Sequence, residues 1–188
     1  MQRYNELSNL DDLWRIAHMP QSAQRTLELI DGKIIEKTPL SWLENDTAVR
    51  LQAFLEQYLR CHPVGKITAP NTGYTLDPYN VLIPTFGFSA IQHLPDLSLN
   101  PYLPQAPDLA IEIQETVDLT RARHYLRYGT HVVWLISMRE KAIVIAQWAS
   151  VATHQLETAQ VTACLEGGDL LPGFQVRLSN LFSNRQLL

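Results

Sequence analysis

Charge is scarce in this chain and leans to neither sign strongly. Charged side chains make up 18% of the residues and the formal net charge is −4, so no global positive field marks a tight nucleic-acid binder. An enzyme with local phosphate contacts is still compatible with that balance. Cysteine is equally sparse. Cys61 and Cys164 are the only two, lie far apart and form no metal-like pair, which predicts reduced thiols in a cytoplasmic protein. No basic-then-apolar leader opens the sequence, and no apolar run approaches the length of a bilayer span. Neither export nor membrane insertion is expected. Repeats, low-complexity tracts and interdomain linkers are also missing, so residues 1–188 are read as one domain.

What is present suits a packed interior. Hydrophobic residues make up 46% of the chain, and a chain of this length buries roughly two-thirds of its unfolded surface. "SNLDDLWRIA", residues 8–17, begins with a Ser/Asn cap and first-turn acids before apolar residues at helical spacing. "RTLELIDGKIIEKTP" places two apolar runs around Asp31-Gly32, a strong short hairpin signal. Leu51, Phe54, Leu55, Tyr58 and Leu59 then repeat with one helical face, and Pro63 ends that helix.

Short strands are expected at 65–69, 73–77 and 81–88, with a proline-rich surface loop over 89–106. A helix follows over about 117–128, ending at Gly129. "HVVWLIS" is read as a buried strand with "KAIVIAQW" as its hairpin partner, and a last helical turn falls near 178–183. The order predicts an α/β (α+β) fold with a mixed sheet, flanking helices and an N-terminal β-hairpin.

One strand carries acids where hydrocarbon is expected. In "APDLAIEIQE", residues 106–115, alternation puts Asp108, Ala110, Glu112 and Gln114 on one face and Leu109, Ile111 and Ile113 on the other. Four residues along a strand span ~13 Å, too far for Asp108 and Glu112 to share an ion without a sharp bend. Glu112 and Gln114, ~6.5 Å apart, can share a water or a metal. Asp108 follows Pro107 at the strand entrance, where a carboxylate often accepts from backbone N–H groups.

"LELIDGKIIEKTP", "GYTLDP", "APDLAIEI", "YLRYGTHVVWLI" and "GGDLLPGF" stand in this order over about residues 25–182. Together they resemble the bacterial "putative restriction endonuclease" family, a branch of the PD-(D/E)xK nuclease superfamily. The resemblance implies a restriction-endonuclease-like core and metal-dependent phosphodiester hydrolysis, with DNA as the implied partner. In that chemistry, acids on adjacent strands hold Mg²⁺ or Mn²⁺, which activates a water. Glu112 takes the family's acid position, and Gln114 completes an E-x-Q variant of E-x-K. Glu28, opposite in facing to Leu27 and Leu29, is a further acid that can point at the same cleft.

The resemblance also marks departures. Thr85 stands where the family has the aspartate of a Pro-Asp pair, and Leu82 where it has an arginine. Arg121 replaces a helix lysine, and Glu44 lies where a histidine is expected. A neutral hydroxyl is a poor ligand for a hard divalent cation, and arginine does not serve as a base. These changes predict a degenerate metal site, with Thr85 as a weakened ligand position and weak or absent activity. Arg121, Arg123, His124 and Arg127 either grip phosphate or form a solvated helix face. Three readings stay open: a nuclease using Glu112, Gln114, Glu28, Asp108 and Arg121; a non-catalytic nucleic-acid- or protein-binding relative; and a homodimerisation module with "KAIVIAQW" as an exposed edge strand.

Overall fold

The structure, a computed structural model, describes residues 7–68, 70–94 and 102–182. Helix α1 (Leu10–Ala17) starts from Asn9, whose side chain accepts from the Asp12 amide while Asp12 caps back in return. Strands β1 (Thr26–Ile30) and β2 (Lys33–Lys37) form the expected hairpin. Asp31 and Gly32 both have positive φ, 49° and 71°, as a two-residue turn matched to strand twist requires.

Helix α2 (Trp42–Cys61) opens with a second capping box, Ser41 against Glu44. Strands β3 (Gly65–Ile67), β4 (Tyr74–Asp77), β5 (Asn80–Leu82) and β6 (Phe86–Ala90) follow. The strand expected over 81–88 is therefore two strands. Pro84 separates them: it has no N–H to donate to a ladder, and β5 and β6 enter different sheets. Of the loop expected over 89–106, residues 89–90 extend β6, and 95–101 lie outside the described residues.

Strand β7 (Leu109–Gln114), helix α3 (Leu119–Arg127), strand β8 (Val132–Ser137) and strand β9 (Ala142–Ser150) come next. Strand β10 (Gln155–Val161) then pairs with β9 along its length, so "KAIVIAQW" is an interior strand and not the expected edge. The sequence hid β10 because its polar and apolar residues follow no strict alternation and are mostly exposed. A short hairpin, β11 (Cys164–Glu166) and β12 (Gln175–Arg177), leads into α4 (Leu178–Leu181).

Two larger sheets result. The six-stranded sheet runs β10-β9-β8-β7-β6-β3, and the four-stranded sheet runs β2-β1-β5-β4. Among the described strand pairs only β7 and β8 run parallel, and α3 is their crossover. Leu109, Ile111 and Ile113 pack with Leu51 and Leu55 of α2 on one face of the large sheet. Ala110 packs with Ala122, Tyr125 and Leu126 of α3 on the other. Both faces of β7 are thus covered, which explains its near-continuous apolar composition. Leu13 of α1 packs on Leu27, Leu29 and Val81 of the small sheet.

Candidate functional site

The acidic face of β7 turns toward the seam between the two sheets. Glu112 and Glu28 are each exposed to only 2%, yet neither is uncompensated. Arg121 lies between them. Its Nε donates to Glu112 Oε1 at 2.5 Å, while its terminal nitrogens donate to the two oxygens of Glu28 at 2.8 and 2.5 Å. Lys37 Nζ donates to Glu112 Oε2 at 3.2 Å and to the Ile83 carbonyl. The Tyr125 hydroxyl completes the shell of Glu112, donating to Oε1 at 2.7 Å.

Local sequence explains each placement. The Asp31-Gly32 turn pairs Glu28 with Ile35 and Thr26 with Lys37, so Glu28 and Lys37 share one face of the hairpin. Asp118 caps α3 by accepting from the Thr120 and Arg121 amides, which fixes Arg121 in the first turn. Tyr125, four residues on, lies on the same helix face. The basic run of α3 is consequently divided: Arg121 points inward, whereas Arg123 and Arg127 are exposed.

The seam also has a backbone problem to solve. Pro84 ends β5, leaving the polar groups of Ile83 outside a strand. The Ile83 amide donates to Glu28 Oε1 at 2.6 Å, and its carbonyl accepts from Lys37 and from Arg121. The cluster therefore satisfies buried backbone groups at the junction of the sheets as well as its own charges.

Burial opposes ionisation of Glu112, but Arg121, Lys37 and the Tyr125 hydroxyl outweigh it and hold its carboxyl below the usual glutamate range. Burial likewise opposes the charge on Arg121, and Glu112, together with Glu28, holds it well above its ordinary value. Tyr125 is pushed well up, chiefly by burial. Two carboxylates and two cations sum to zero, so the cluster is neutral without any added ion.

Gln114 lines the same cleft as Glu28, Glu112 and Arg121, and its amide nitrogen is enclosed without a hydrogen-bond partner among the described residues. Thr85 stands one residue before the Phe86–Ile111 pair, next to Glu112 across the strands. Its hydroxyl does not open on the cleft; it accepts from the Ile113 amide at 3.1 Å and extends the ladder past the end of β6. Asp108 is not part of this group. It lies at the other end of β7, where Oδ2 accepts from the Ala90 amide at 2.7 Å and Oδ1 lies 2.7 Å from His93 Nδ1 and 3.4 Å from His131 Nδ1. Glu44 is taken up by the α2 capping box.

Two members escape a reading of the sequence by residue type. Lys37 was legible only through hairpin register, and Tyr125 has the pattern of a core residue whose hydroxyl happens to end at Glu112.

A divalent cation is the natural test of this donor set. Each of the four carboxylate oxygens of Glu28 and Glu112 already accepts from an N–H or O–H donor, and two of those donors are cationic. The Thr85 oxygen is neutral and already accepts from the Ile113 amide. Among the described residues, no group of three His, Cys, Asp or Glu is arranged to hold a metal. In this arrangement the residues do not fit Mg²⁺ or Mn²⁺, because the ion would face the fixed charges of Arg121 and Lys37.

Comparison with known proteins bears on the family and the fold. The family model described as "Uma2: Putative restriction endonuclease" matches residues 13–179. The chain belongs to this family. A crystal structure from Anabaena variabilis ATCC 29413, titled a "putative nuclease belonging to DUF820", has the same fold. Its TM-score is 0.75 at 16% identity, covering 93% of this chain and 97% of that one. No curated protein matches. Among the described residues, no helix is long and apolar enough to cross a membrane.

Proposed function

We propose that this chain is a non-cleaving member of its nuclease-like family, in which a fixed ionic cluster stands where metal-dependent hydrolysis would be expected and the cleft beside it serves binding. One observation carries the reading: Arg121 bridges Glu28 and Glu112. A guanidinium stays protonated and so cannot take a proton from water. Each of the two carboxylates accepts three hydrogen bonds, and every one of their oxygens accepts from a cationic donor, Arg121 or Lys37, which opposes the approach of a second cation.

The cleft lining favours a neutral or apolar ligand, such as a protein side chain, over a phosphate backbone. The cleft measures about 780 Å³, and its lining includes five glutamates (28, 36, 44, 112 and 115) against Lys37, Arg121 and Arg139. Arg139 is itself paired with Glu115. Ile35 and Leu43, which line the cleft, are well exposed, at 44% and 50%, and give it the apolar lining common in binding pockets.

A second reading, divalent-metal-dependent DNA cleavage after displacement of Arg121, is favoured by the presence of two acids and Lys37 in one cleft. A single set of measurements separates the two. Melting with and without millimolar Mn²⁺, and incubation with plasmid and single-stranded DNA, is carried out on the parent chain and on Glu112→Gln. The binding reading expects no metal-dependent shift in melting, no cleavage, and no salt-sensitive DNA retention. Mn²⁺-dependent cleavage that disappears in Glu112→Gln would establish the enzyme instead.

A further inference from the structure

The two larger sheets have four edges, and three of them are protected. Strand β3 has only three residues, one of them the exposed Lys66, and follows Pro63. Strand β2 carries Lys33, Glu36 and Lys37 within five residues. Strand β4 is covered: the Thr75 amide donates to the Leu103 carbonyl at 2.7 Å, and the Leu103 amide donates to Gly73. Short length, charge and a covering segment are standard means of preventing edge-to-edge pairing.

Strand β10 has none of these. It is seven residues long, contains no proline, lysine or arginine, and carries a single charge, Glu157. Its one irregularity, the register shift between Gln155 and Leu156, lies at the hairpin end and leaves 156–161 regular. Among the described residues no strand lies on its outer side.

We propose that this edge joins two copies of the chain, β10 pairing antiparallel with β10 about a two-fold axis through Thr158, so that the two six-stranded sheets become continuous. The sequence of the strand is self-complementary in that register. Thr158 faces its own symmetry mate, Glu157 faces Ala159, and Leu156 faces Gln160, so no like charges stand directly opposite. A two-fold axis normal to the sheet keeps the same face on the same side in both copies. Glu157 and Ala159 line a cavity with Val132, Trp134 and Ile145, and pairing would bring the two cavities side by side across the axis. A contact of one strand from each copy lies at the small end of interface sizes, so the dimer is weak, with a dissociation constant on the order of micromolar.

Sedimentation of the full chain from about 1 to 100 µM tests this. A concentration-dependent monomer–dimer equilibrium is expected. Thr158→Lys sets two ammonium groups face to face and raises the dissociation constant by on the order of tenfold. Because Thr158 is exposed, the far-UV spectrum, and the melting temperature at concentrations where the parent is monomeric, stay those of the parent. Cys61 is an exposed free thiol, so Thr158→Cys is made in a Cys61→Ala background, where it is expected to give a disulfide-linked dimer on mild oxidation that Cys61→Ala alone does not give. A chain that is monomeric throughout, or a dimer that neither variant affects, overturns the proposal. Pairing of this edge with a different protein's strand would leave the isolated chain monomeric and counts against it equally.

Discussion

Lys37 and Glu112 are 75 residues apart in sequence and 3.2 Å apart in space. The contact ties the hairpin of the small sheet to the central strand of the large one, and Arg121 ties the same two sheets through Glu28 and Glu112. The cluster is thus a joint between sheets in addition to being the floor of a cleft. Its two carboxylates are buried, so removing a cation leaves its partner desolvated and unmatched.

Arg121→Met should show this most strongly. It leaves Glu28 and Glu112 facing each other without their shared cation, and the expected loss is about 3–5 kcal/mol in urea unfolding. The double variant Arg121→Met/Glu112→Gln should recover part of the loss, because one orphaned charge is removed with the other. A loss of the same size in the double variant would mean that the ion pair is not what holds the joint.

Lys37→Met should cost less, about 1–3 kcal/mol, since Arg121 and Tyr125 still serve Glu112 and the Lys37 side chain is 20% exposed. The Ile83 carbonyl loses one of its two donors. Equilibrium denaturation reads the effect; a neutral result would place the joint in Arg121 alone.

Acid should loosen the same joint. The Glu112 carboxyl is held below the range of an unfolded glutamate. Its contribution is therefore fully present above the unfolded value and is lost as pH falls through the folded one. Melting temperature of the parent should drop as pH falls below about 4.5, and the slope should be shallower in Glu112→Gln. Equal slopes in the two proteins would exclude Glu112 as a source of acid sensitivity.

Thr85→Val removes the acceptor for the buried Ile113 amide while keeping the side-chain shape. The expected cost is about 1–3 kcal/mol, with faster hydrogen exchange at Ile113 than at its neighbours in β7. Unchanged exchange at that amide would show that the Thr85 hydroxyl is not its acceptor in solution.

Asp108→Ala should destabilise without touching the cleft. It leaves the Ala90 amide and the His93 ring without their acceptor, at a cost of about 1–3 kcal/mol. Hydrogen exchange at Ala90 should rise, while the pH response assigned to Glu112 stays as in the parent. A change in the Glu112 titration would connect two ends of β7 that the structure keeps apart.

Much of the scaffold was legible because local rules decided it. Asp31-Gly32 announced the hairpin, the Ser/Asn cap marked the start of α1, and alternation in "APDLAIEIQE" sorted Glu112 and Gln114 from the leucine and isoleucines. Hairpin register even contained the placement of Lys37 beside Glu28, although residue type alone did not draw attention to it. Strand β10 was not legible, since an edge strand without strict alternation has no periodic signature. The split at Pro84 was visible as a proline, but its consequence depended on which sheet each half joined.

The sequence by itself determined the elements, the acidic face of β7 and the family's pattern with its departures, because helix caps, turn residues and strand alternation act over a few residues. Only the tertiary structure decided what those residues do to one another. It brought Arg121 and Lys37 from separate elements onto Glu112, turned Thr85 toward a backbone amide, and left Asp108 at the far end of its strand. Charges act across space and not along the chain. Whether a carboxylate meets a metal or a guanidinium is therefore fixed by which side chains the packed sheets bring within hydrogen-bond distance.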